Sequence, residues 1–283
     1  GAYSNSFQNS FHFDDSHVVV GNVFIRSLKN VPRFFRDATT FSSLPANQAY
    51  RPLVTTTLAL DYALGGGLNV KQFHLSQLAM LVLLGVAAFF MFLRLMNMAA
   101  EHWWNRWAAL LAATLYSVHT TATETLNLIH VRSELLSTLG VLGSFLVYLY
   151  LPRSRRAYLY LLPMIIGSLA KTPAVIFAPI FLAYLVLFEE RLSLPDLFTS
   201  RSWPSVRTAI WKSLPALLVG VGLFMFIEAM NSPTLVPGGG SRMEYLRTQP
   251  FIWLRYARLF FVPAGLSAGT RSPFQSTRRA DII

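Results

Sequence analysis

From Leu78 to Leu93 the chain carries no polar side chain, and residues 75–93 (LSQLAMLVLLGVAAFFMFL) come close to the roughly 20 apolar residues that a helix needs to cross a bilayer. In hydrocarbon every backbone N–H and C=O has to be satisfied inside the protein, so a run of this kind folds as a helix. Six further apolar stretches follow, near 107–118, 135–151, 157–170, 173–188, 214–230 and 251–269. The chain therefore reads as an all-α, polytopic helical membrane protein with about seven hydrophobic segments between residues 74 and 283. Composition agrees, since only 13% of the residues are charged against roughly 25% in a soluble domain.

The opening AYSNSFQNSF reads as the outer end of an apolar helix whose body is missing. The expectation is a fragment: one transmembrane domain over 1–283, its first span absent, with 1–73 as an outer loop. The sequence has no Cys, which excludes disulfides and thiol chemistry; with no close His/Asp/Glu triplet, no metal site is expected either. A net charge of +11 does not point to nucleic acid, because the Arg and Lys lie in short loops rather than in one stripe. Residues 152–156 (PRSRR), together with Arg191, Arg201, Arg207 and Lys212, mark cytoplasmic loops. Alternation then places 1–73, 119–132, the turn at Lys171 and 231–250 on the opposite, outer face, where the polar motifs also fall.

Two helices are predicted in the outer loop. One starts at Asn30-Val31-Pro32 with an Asn cap, and its Phe34, Phe35 and Arg36 suit an interface; the other starts at Pro52 and stops at Gly65-Gly66-Gly67. They would roof over a site. Asp14-Asp15 reads either as a solvated turn or cap, or as a pair whose partial desolvation makes one carboxylate a better base. Over 119–136, Thr120, Thr123, Asn127, His130, Glu134 and Ser137 recur at helical spacing as one polar stripe, which is either a wet outer face or a cavity wall. Lys171 and Arg51 each have two readings, a snorkelling boundary cation or a phosphate holder. Carboxylates and cations on one lipid-accessible face suit transfer of a group from a lipid phosphate to a hydroxyl.

These residues resemble the GT-C membrane glycosyltransferases, most closely the protein O-mannosyltransferases that carry tetratricopeptide repeats (the TMTC type) and their bacterial relatives. The similarity rests on Phe13-Asp14-Asp15, Tyr50-Arg51-Pro52-Leu53, Gly67-Leu68-Asn69 with Phe73-His74-Leu75, His119 with Thr123-Glu124 and Arg132-Ser133-Glu134-Leu135-Leu136, Ala170-Lys171, and Leu254-Arg255-Tyr256 with Pro263 to Ser267. Ala122 and Thr172 depart from the family pattern, as does the missing Asp after Leu266-Ser267. The resemblance implies an inverting transfer of sugar from a polyprenyl-phosphate donor to an acceptor hydroxyl, on a protein Ser/Thr or a glycan, with no cofactor. It implies Asp14 as general base, Asp15 and Glu124 shaping the acceptor side, and Arg51, Arg132, Lys171, His74 and His119 binding the donor phosphate. Membrane lipid, the lipid-linked sugar and the acceptor are the expected partners. The expected place is the bacterial inner membrane rather than the endoplasmic reticulum, with the active face periplasmic or lumenal. The alternative is a catalytically silent accessory subunit of a membrane complex that keeps the fold.

Overall fold

The computed structural model describes residues 9–119, 125–236 and 242–262, and among them there are helices and loops but no strand. Two compact units divide the chain, residues 1–235 and 236–283. In the first unit the helices are α1 (Pro52–Leu64), α2 (Val70–Ala99), α3 (Asn105–Val118), α4 (Arg132–Tyr150), α5 (Leu161–Ser168), α6 (Phe177–Tyr184) and α7 (Trp203–Met230). Among the described residues, four stretches are long and apolar enough to cross a membrane: Val70–Ala99, Ile129–Tyr150, Thr172–Glu189 and Ser200–Met230. The protein is an all-α membrane protein.

Not every hydrophobic segment of the sequence becomes a helix of spanning length. Residues 107–118 fall within α3, whose 14 residues reach only about 21 Å at 1.5 Å per residue. Residues 157–170 give the eight-residue α5, which starts only after turns at 156–160. The segment expected at 251–269 falls partly on α8 (Arg242–Phe261), the helix of the second unit, which has Pro250 inside it and also carries Arg247, Arg255 and Arg258.

Within the first unit the helix ends sort into two sets. At one end, Tyr150 Oη donates to the Phe90 carbonyl (2.9 Å), Arg155 approaches Glu189 (3.5 Å), and Lys212 reaches Glu189 and Glu190 (3.3 and 3.1 Å). The basic loops lie here. So do five of the six Trp (103, 104, 107, 203 and 211), all exposed, as an aromatic belt at a membrane boundary would be. At the other end, Leu53 N–H donates to the Leu169 carbonyl (3.2 Å), Tyr50 N–H to Asn231 (2.8 Å), and the His74 ring meets the Leu126 carbonyl (3.0 Å). The N-terminal loop is pinned to this end.

Lipid supplies no hydrophobic drive between spans, so close backbone approach and packing have to hold them. Helices α4 and α5 cross at Gly140 and Gly167, where a Cβ added at Gly140 would lie 2.6 Å from the Pro163 carbonyl oxygen and 2.7 Å from Gly167 Cα. Beside this crossing Phe145, Tyr148, Tyr160, Phe177, Phe181 and Tyr184 interlock, with Phe145 and Phe177 edge-to-face at 4.9 Å and Tyr148 and Phe181 at 4.6 Å.

The outer loop matches expectation at its second helix and differs at its first. Helix α1 begins at Pro52, and the chain turns away through Gly66 (φ 67°) and Gly67 (φ 135°), a conformation that favours glycine. At Asn30 the side chain does not cap; it donates to the Phe24 carbonyl (2.8 Å), and only one helical turn, Val31–Phe34, follows. Phe34 points inward rather than into an interface. It joins Val18, Val19, Ile25, Phe41, Val54, Leu58, Phe73, Ile129 and Ala170 in one buried cluster that fastens the loop to the spans.

Gly140→Leu should lower the unfolding midpoint of the detergent-solubilised protein, by the equivalent of about 1–3 kcal/mol of overpacking. Gly222→Ala, whose Cβ would meet nothing within 4 Å, should leave it unchanged.

Candidate functional site

The two adjacent aspartates separate at once. Phe13 takes a left-handed backbone (φ 50°), uncommon for a bulky residue, and the chain then enters a helical turn at Ser16–Val20. Asp15 points in and is fully buried, whereas the Asp14 side chain is 57% exposed. The Asp15 carboxylate accepts the backbone N–H of Ile129 (3.1 Å), of His130 (2.7 Å) and of His12 (3.3 Å), and a bond from His130 Nδ1 (3.0 Å). The Ile129 and His130 amides open a span, where the first turn of a helix leaves N–H groups unpaired. Burial pushes the Asp15 carboxyl up, but the His130 ring and the three backbone donors together outweigh it and hold it below the ordinary carboxylate value.

Asp14 faces the other way. His17 Nε2 lies 3.5 Å from one of its oxygens and His130 Nε2 lies 3.9 Å from the other. Arg51 stands just ahead of Pro52, with its guanidinium 5.0 Å over the Phe41 ring and 3.5 Å from Ser133 Oγ. Burial disfavours the Arg51 charge and leaves its pKa below the ordinary value, while the carboxylates of Glu134 and Asp14 both favour it; a guanidinium stays protonated through such a shift. Lys171 precedes the Thr172–Glu189 span, and its ammonium is paired with Glu134. The Leu53–Leu169 bond brings the Arg51 segment beside the Lys171 turn, and Ser137 Oγ donates to the Lys171 carbonyl (3.4 Å). The result is a row of alternating charge, Asp14, Arg51, Glu134, Lys171, at the mouths of the spans.

The structure thus brings Asp14, Arg51 and Lys171 into one electrostatic neighbourhood. It places the other sequence candidates differently. Arg132 is fully buried, with Nη1 2.5 Å from Asp61, Nε donating to Gln77 (3.2 Å) and Nη2 to the Phe73 carbonyl (3.2 Å). Its charge is spent inside the protein, fastening α1 and α2 to α4. Asp61 is further held by Ser76 and by Gln72 (3.3 Å). His74 is buried against the Leu126 carbonyl, and His119 sits half-buried at the end of α3. Glu124, Thr120, Thr123 and Pro263 to Ser267 lie outside the described residues.

The polar stripe does converge on the site, though not as one helix. After a helical turn at 125–127 the chain breaks at Leu128 and resumes as a tight turn, Ile129–Val131, leading into α4. Asn127 accepts from Asn9 (2.7 Å), His130 meets Asp15, Glu134 meets Lys171, and Ser137 meets the Lys171 carbonyl. Sequence reasoning placed His130 and Glu134 in the stripe but gave neither a role, and it passed over His17 and Asp61. Spacing located the first two; His17 lies three residues from Asp14 in an irregular segment where spacing assigns no face, and the ion-pair partner of Asp61 is distant in sequence. Among the described residues, no three His, Cys, Asp or Glu are grouped to hold a metal.

No protein-family model and no solved structure matches the chain. About half of it is similar to curated proteins. It is 28% identical over 155 residues to the human protein O-mannosyl-transferase TMTC4, covering 52% of this chain and 21% of that protein. Over 149 residues it is 28% identical to the mouse protein O-mannosyl-transferase TMTC3, covering 52% of the chain and 15% of that protein. The similarity supports a relationship to these transferases, and the matched region is about a fifth of their length or less.

Arg132→Met should cost about 3–5 kcal/mol in unfolding experiments, because it leaves Asp61 charged and buried, and adding Asp61→Leu should recover much of that loss. A depressed carboxyl pKa stabilises the fold above the unfolded value, 3.8 for Asp15, and that contribution disappears as pH falls through the folded value. The thermal midpoint of the natural protein should therefore drop below about pH 4; Asp15→Asn should lower the midpoint at pH 7 and flatten this acid limb.

Proposed function

We propose that the chain is the membrane part of a glycosyltransferase that moves a sugar from a polyprenyl-phosphate donor to an acceptor hydroxyl. The observation that carries the reading is the half-exposed Asp14 carboxylate in the field of Arg51, which shares the Glu134 carboxylate with Lys171. The names of the relatives support sugar transfer, with mannose as the first sugar to test and a protein hydroxyl as the first acceptor. Asp14 removes the hydroxyl proton as the acceptor oxygen attacks C1 of the sugar from the face opposite the phosphate. The bond from C1 to the phosphate oxygen breaks, inverting C1, and the departing phosphate carries the electron pair toward Arg51 and Lys171.

Glu134 holds the cations when no phosphate is bound. An arriving donor phosphate competes with it, so binding exchanges one anion for another and strands no charge. Arg132 is not in this set; through Asp61 it positions the helices that carry the site. That the site faces away from the basic loops supports an outer-face location. The matched relatives are human and mouse proteins, so the bacterial inner membrane is not carried forward.

Asp14→Asn should reduce transfer from a polyprenyl-phosphate mannose to a Ser/Thr peptide by about 100-fold or more in isolated membranes. Unchanged transfer overturns the base assignment. The double variant Arg51→Met, Lys171→Met should raise KM for the donor more than it lowers kcat. No transfer by the unmutated full-length protein with any sugar donor points to the silent accessory subunit instead.

A further inference from the structure

His130 stands between the two aspartates: its Nδ1 is 3.0 Å from Asp15 Oδ1, and its Nε2 is 3.9 Å from Asp14 Oδ2. We propose that His130 is the second station for the proton that Asp14 takes from the acceptor, a positioning residue that acts through Asp14 and not on the substrate. This rests on the transferase reading above.

The geometry assigns the ring's two nitrogens different tasks. Asp15 is buried and already accepts three backbone N–H bonds, and an ionised carboxylate can only accept, so Nδ1 must be the protonated nitrogen. That leaves the lone pair on Nε2 facing Asp14. A carboxylate locking one ring nitrogen while the other serves as acceptor is the arrangement by which a buried Asp orients a general-base His. Asp14 is exposed enough to rotate across the remaining gap. In the transfer step the hydroxyl proton passes to Asp14, then to Nε2; the imidazolium is paired with Asp15 through Nδ1, and the same proton leaves Nε2 to water once the acceptor has gone. Asp14 returns to its anionic form for the next acceptor, and atoms and charge balance with the phosphate leaving as an anion.

The charged and titratable groups around this row are His12 and His17 on the N-terminal segment, Arg51 ahead of α1, His74 on α2, and Arg132 and Glu134 on the helix of His130, with Lys171 bound to Glu134.

The test compares the natural protein with His130→Asn, whose amide can still donate to Asp15, and His130→Gln as the second variant should Asn fail to fold. Asp14→Asn is assayed in parallel, and the unfolding midpoint of each variant is recorded. The expected result is a loss of at least about tenfold in kcat, little change in KM for the donor, and an unfolding midpoint close to the natural one. A histidine variant with natural kcat, while Asp14→Asn is inactive, overturns the relay and leaves the transferase reading standing. Natural transfer in both variants overturns the two together.

Discussion

A carboxylate buried at the mouth of a membrane span is tolerable only if nearly every lone pair finds a donor, and Asp15 meets that condition with the first amides of the span itself. Its bonds to Ile129, His130 and His12 do two jobs at once. They satisfy N–H groups that the helix cannot pair internally, and they fix the N-terminal segment on the end of the bundle. With that segment fixed, Asp14 is held beside Arg51, His17 and His130. Without it, the later part of the outer loop would still be tied down through Tyr50 and Leu53, but the direction of Asp14 would be undetermined.

A second buried charge organises the other side of the same floor. Arg132 begins α4, Asp61 ends α1, and Gln77 and the Phe73 carbonyl belong to α2, so one guanidinium ties three helices together. Pairs of this kind add little net stability compared with apolar packing, but they penalise every arrangement in which either partner lacks the other. The site above them depends on such positional definition, since Ser133 and Glu134 follow Arg132 directly on the chain. A shift of α4 would move His130 and Glu134 away from Asp14 and Lys171 together.

The two ends of the bundle use charge differently. At the basic end, Arg155 and Lys212 gather around Glu189 and Glu190 beneath exposed Trp, an arrangement that anchors a boundary. At the other end the charges alternate in a row, partly exposed, with Glu134 set between cations. At the first the carboxylates are mostly covered by their partners; at the second the Asp14 and Glu134 carboxylates are about half exposed.

The order of residues alone sets the helical class, the apolar runs that become spans, their separation into a basic end and a polar end, the start of α1 at Pro52 and its stop at three glycines. These follow from local rules: an apolar run in lipid must satisfy its own backbone, Pro suits a helix start, and Gly accepts positive φ. It also located the polar stripe, because helical spacing survives a short break in the helix. Which of two neighbouring aspartates is buried, that Arg132 belongs to Asp61 rather than to a ligand, and that His130 lies between the carboxylates are set by the fold in three dimensions. Asp14 and Asp15 follow a left-handed residue in an irregular segment, where no periodicity assigns a face. The pairing of residues 61 and 132, like that of 15 and 130, depends on helices meeting in space, which no local pattern encodes.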